Sequence, residues 1–113
     1  MKLDHITDAG YRARLGELLE CKNPAELGLP ATAKILGAFL TRWMPGDPGE
    51  AHDTDRTSAD IVLDFSLDSM ADFTVNEVAL TMSWLGFPVT YDPSIGCRWS
   101  MVPAVEPGQD AER

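Results

Sequence analysis

The run Phe73-Thr74-Val75-Asn76-Glu77-Val78 constrains this chain more than any other passage. Thr74 and Glu77 have the spacing of a capping box, in which hydroxyl and carboxylate each satisfy an amide that the first helical turn leaves without a partner. Phe73 and Val78 take the staple positions on either side and fix the angle at which the chain enters the helix. Val75, Val78, Ala79, Met82 and Leu85 then continue an apolar face, and Gly86 supplies the left-handed residue on which helices end. The passage predicts a helix beginning at Thr74 and ending at Gly86, with Trp84 to one side.

Beyond Pro88 the period changes. Val89-Thr90-Tyr91 and Cys97-Arg98-Trp99-Ser100-Met101-Val102 alternate as strands do, across the turn-forming Asp92-Pro93-Ser94-Ile95-Gly96, so a β-hairpin is expected. Val89, Tyr91, Cys97, Trp99 and Met101 line its apolar face, with Thr90, Arg98 and Ser100 on the other. Upstream, Thr7 or Asp8 caps a helix carrying Tyr11, Leu15, Leu18 and Leu19, which Asn23-Pro24 stops. A second helix starts near Pro30, carries Ile35, Leu36, Phe39, Leu40 and Trp43, and ends at Met44-Pro45-Gly46. Residues 45–58 read as an exposed loop. Ile61-Val62-Leu63 reads as a short strand over residues 60–65, and Ser66, flanked by Phe65 and Met70, as the cap of a short helix reaching Asp72. The expected fold is α+β: three main helices, a C-terminal hairpin and a short third strand, with Leu85 and Trp99 buried together. Residues 1–105 form one globular domain, and the polar tail 106–113 has nothing to bury and frays.

Charge narrows the range of partners. The 113 residues hold 18 Asp and Glu against 9 Lys and Arg, a net of -9. Up to Arg42 the signs balance. The middle then carries Asp47, Glu50, Asp53, Asp55, Asp60, Asp64, Asp68, Asp72 and Glu77 with Arg56 as its base, and no further Lys or Arg comes before Arg98. Those carboxylates are expected to lack local cations and to face either solvent or another molecule. A polyanion is repelled by DNA, RNA and anionic lipid and attracted to basic surfaces. Asp60, Asp64, Asp68 and Asp72 recur every four residues, which on a continuous helix makes one anionic ridge, whereas a strand over 60–65 scatters them.

Catalytic motifs are missing: the sequence has no phosphate loop, Gly-x-Ser-x-Gly elbow, His-Glu-x-x-His or dinucleotide-binding glycine pattern. His52-Asp53-Thr54-Asp55 has hard oxygen donors but not the spacing of a calcium loop, so a solvated loop is expected and no metal or other cofactor. Cys21 and Cys97 form no Cys-x-x-Cys unit and read as buried structural thiols. No apolar stretch is long enough to span a bilayer, and Met1-Lys2-Leu3-Asp4-His5 lacks the apolar run of a signal peptide, so a cytoplasmic protein is expected.

The order helix, short strand, short helix, longer helix, hairpin resembles a winged helix-turn-helix domain. Leu85-Gly86-Phe87-Pro88-Val89, leading into Cys97-Arg98-Trp99-Ser100-Met101, matches its joint between recognition helix and wing. The resemblance implies a recognition helix beginning at Thr74, with base-reading and phosphate contacts from that helix and the wing. The matching helix offers Asn76, Glu77, Thr81 and Ser83 and no positive charge, and the wing contributes Arg98. DNA affinity comes largely from neutralised phosphates, so the leading expectation is a different one. It is a small acidic, non-enzymatic binding protein that occupies the basic surface of a nucleic-acid-handling protein or complex. Asp53, Asp55, Asp60, Asp64, Asp68, Asp72 and Glu77 are the candidate contact residues. In size and acidity the chain resembles DNA-mimic inhibitors from phages and mobile elements, such as anti-CRISPR and anti-restriction proteins. The alternative is a winged-helix transcription regulator with a basic patch built from Arg12, Arg14, Lys34, Arg42 and Arg98.

Overall fold

The computed structural model describes residues 3, 5–47, 54–69, 73–93 and 96–104, with side chains at all of these except 67–69 and 92. The tail 106–113, His52, Asp53, Asp72 and the turn residues Ser94 and Ile95 lie outside the described residues. The fold is α+β. Helix α1 (Ala9–Glu20) starts where Asp8, in extended conformation, accepts a hydrogen bond from the Tyr11 amide at 3.0 Å. It buries Tyr11, Leu15 and Leu18, and a short 3-10 turn (Pro24–Leu27) follows. Helix α2 (Ala33–Leu40) buries Leu36, Gly37 and Leu40 against α1. Gly37 sits tightly in the crossing: a Cβ there would stand 3.0 Å from Leu18 Cδ2 and 3.5 Å from Leu19 Cδ2, so Leu18 would have to give way.

Three expectations change downstream. Helix α2 stops at Leu40, and Trp43 belongs instead to strand β1 (Trp43–Pro45), which pairs antiparallel with β4 (Met101–Pro103). This is where the additional strand lies. Residues 60–65 are helical, within α3 (Ser58–Ser69), and Ser66 is inside that helix rather than its cap. The β-branched run Ile61-Val62-Leu63 gives way to the helical spacing of Ile61 and Phe65, which are fully and almost fully buried. A second capping box starts the helix. The Thr57 amide donates to Asp60 Oδ2 and the Asp60 amide to Thr57 Oγ1, both at 3.1 Å. Among the described residues there are thus four helices where three main ones and a short fourth were expected.

Helix α4 (Val75–Leu85) forms as the sequence predicts. Both hydrogen bonds of the Thr74–Glu77 box are present, Phe73 and Val78 are buried, and Gly86 closes the helix with a φ of 93°. Val75 departs from the expected apolar face and is exposed, because it sits in the first turn beyond the elements that cover Val78 and Met82.

The hairpin pairs β2 (Val89–Asp92) with β3 (Gly96–Trp99), Tyr91 standing opposite Cys97. At Ser100 the chain passes from one ribbon to the other: its amide donates to the Pro88 carbonyl at 2.8 Å, and its own carbonyl accepts from the Gly46 amide at 2.8 Å. Trp99 and Met101, on either side, enter the core with Leu85. Further out, no element among the described residues covers the ribbon. Val89, Tyr91 and Cys97, expected in the core, are therefore exposed, Tyr91 to 70%. Cys21 is half-buried, and both cysteines are free thiols. Among the described residues, no helix is long and apolar enough to cross a membrane.

Candidate functional site

The candidate carboxylates whose side chains are described fall into three places, and each of Asp55, Asp60, Asp64 and Glu77 has a partner within the chain. Asp60 and Asp64 lie one helical repeat apart on the exposed side of α3, and Asp68 follows a turn later on the same helix. Asp60 holds the Thr57 amide, as given above. Asp64 Oδ2 stands 2.9 Å from Arg56 Nε, in an ion pair whose carboxylate side is 51% exposed. The expectation that the acids of the middle have no cation within reach is corrected here, because the fold brings Arg56 back over α3. Glu77 accepts from the Thr74 amide at 3.0 Å, at the start of α4. Asp55 is half-buried and accepts from the Met101 amide at 3.0 Å, and Thr54 Oγ1 donates to the Met101 carbonyl. It lies against β4 rather than beside Asp60 and Asp64.

Residues 54–58 are a strap rather than an exposed loop. The Arg56 amide donates to the Trp99 carbonyl at 3.3 Å, and the Trp99 amide donates to the Arg56 carbonyl at 2.7 Å. Trp99 Nε1 donates to Ser58 Oγ at 2.9 Å. The Arg56 guanidinium lies 4.5 Å from the centroid of the Trp43 ring, a cation–π contact that no sequence spacing announces.

Bases named for the alternative reading are held mostly by main-chain carbonyls. Arg12 donates to the Ile6 carbonyl at 3.1 Å and Lys34 to the Cys21 carbonyl at 2.6 Å. Arg14 donates to the Trp84 carbonyl at 2.9 Å and stacks on the Trp84 ring, placing a cation at the negative end of α4. Arg42 is exposed and Arg98 half-buried on β3. On α4 the outward residues Asn76, Ala79, Leu80 and Ser83 line a shallow groove with Trp99, and none of them is charged.

No group of three or more His, Cys, Asp or Glu among the described residues is arranged to hold a metal ion. Comparison with protein-family models, with curated proteins and with solved structures gave no match to this chain.

Proposed function

We propose that this protein is a non-enzymatic binding protein that inhibits or regulates a nucleic-acid-handling protein or complex by occupying its basic surface, in the manner of anti-CRISPR and other DNA-mimic proteins of phages and mobile elements. The observation that carries the reading is α3: one continuous helix holds Asp60, Asp64 and Asp68. Four residues of helix rise about 6 Å, near the distance between successive phosphates along a nucleic-acid strand. The net charge of -9 gives long-range attraction to a basic surface, and α3 gives the charge a line. Free thiols at Cys21 and Cys97 suit a reducing compartment, so the proposed location is the cytoplasm.

The experiment is affinity capture from a host lysate at low and at raised salt, comparing wild type with two double variants of equal charge. Asp64→Asn with Asp68→Asn removes two of the three ridge charges on α3 and leaves both capping boxes intact. Glu17→Gln with Glu20→Gln does the same to exposed positions on α1. Wild type recovers a nucleic-acid-binding protein that salt releases. The ridge variant loses it and the α1 variant retains it. Equal behaviour of the two variants, or capture of no nucleic-acid-binding protein, rejects the reading.

A second reading, a winged-helix DNA-binding regulator, has one observation in its favour. The order α2, β1, α3, α4, β2, β3, β4, with β1 paired to the strand that leaves the hairpin, follows that domain's plan. The uncharged outward face of α4 weighs against it. A mobility shift of duplex DNA by the purified chain at moderate salt would favour this reading over the first.

A further inference from the structure

Between α2, β1 and α3 lies a cavity of about 420 Å³, lined among the described residues by Ala38, Phe39, Arg42, Trp43 and Phe65. We propose that it is a binding site for a planar aromatic molecule carrying a negative charge. Its walls are rings held by separate elements. Phe39 of α2 and Phe65 of α3 stack with centroids 5.0 Å apart and planes 13° from parallel, and Phe65 is buried. Trp43 of β1 forms a third wall, with Arg56 packed over its ring. Aromatic walls of this kind suit either a flat ring, by stacking, or a cation, by attraction to the ring faces.

Charge decides between the two. The Arg56 guanidinium is matched by Asp64 at 2.9 Å. Arg42 stands exposed on the lining and makes no ion pair among the described residues, so the described lining carries a positive charge in a chain whose net charge is -9. A cage for a quaternary ammonium would place a carboxylate where Arg42 stands. The volume falls within the range of about 300–1,000 Å³ usual for small-molecule sites, which leaves room for a fused bicyclic ring with its anionic group against the guanidinium. The inference does not depend on the docking role of Asp64 and Asp68, and its test involves no macromolecular partner.

The full chain is titrated with 8-anilinonaphthalene-1-sulfonate, a flat aromatic anion, under native conditions, following dye emission. One saturable site is expected. Arg42→Gln, at an exposed position, weakens binding about three- to fivefold, as expected for a partly solvated charge pair. Ala38→Trp, also at an exposed position, fills the space and removes binding, while circular dichroism of both variants matches wild type. The uncharged analogue N-phenyl-1-naphthylamine binds more weakly than the sulfonate and is indifferent to Arg42→Gln. Absence of saturable binding, unchanged binding in either variant, or displacement of the dye by tetramethylammonium rather than by benzoate overturns the proposal.

Discussion

Tyr11 is where a single deletion gives a pH-dependent answer. Its hydroxyl donates to the Leu40 carbonyl at 2.6 Å, closing the C-terminal end of α2, and its ring meets Phe87 edge-on with centroids 5.1 Å apart. Only 2% of the residue is exposed. Burial, and secondarily the nearby Asp8 carboxylate, hold the phenol well above its ordinary range. The folded state therefore keeps its proton while the unfolded chain ionises near pH 10, so this contribution to stability is complete below about pH 10 and is lost as the pH rises further. Between pH 9 and pH 11 the loss is about 1.4 kcal/mol. Tyr11→Phe removes the titration, and at pH 8 it costs about 1–2 kcal/mol by leaving a buried carbonyl without its donor. Urea unfolding of both proteins at pH 8, 9 and 11 is the measurement. The gap between wild type and variant should shrink by about 1.4 kcal/mol over the upper interval. A gap that stays constant would refute the inference that this phenol ionises only on unfolding.

Thr74→Ala is expected to cost about 1 kcal/mol in urea unfolding by removing the hydroxyl half of its capping box, and an unchanged midpoint would locate the start of α4 elsewhere. Gly37→Val and Gly10→Ala should move thermal stability in opposite directions. The first drives branched carbons into Leu18 and costs about 1–3 kcal/mol. The second meets nothing closer than Asp8 Oδ1 at 3.6 Å and gains up to about 0.5 kcal/mol from helix propensity. A Gly37→Val protein as stable as wild type would mean that crowding at the α1–α2 crossing is not the reason for Gly37, and a loss at Gly10→Ala would refute the helix-propensity gain.

What the sequence determined by itself is local. The cap expected at Thr7 or Asp8, which the structure gives to Asp8, the Thr74–Glu77 box and Gly86 are legible because a cap is a bargain between residues three or four apart, and its hydrogen bonds need no other element. The turn-separated alternation of Val89 to Val102 likewise announced a hairpin. The Thr57–Asp60 box is equally local, but the β-branched run after it has the pattern of a strand and masks the box's signal. Tertiary structure decided what long-range contact decides. Ile61 and Phe65 have a core to face only once α2 and α4 are in place, and that burial makes residues 58–69 a helix and aligns Asp60 with Asp64. Alternation cannot say how far a ribbon extends beyond its cover, so it places Tyr91 and Cys97 in the core although the chain leaves the hairpin at Ser100 to pair with β1. The pairing of Arg56 with Asp64 and its stacking on Trp43 depend on a strap held to Trp99, forty-three residues further along. Charge is counted in a sequence, but whether a carboxylate faces a cation, an amide or water depends on distances that only the packed chain sets.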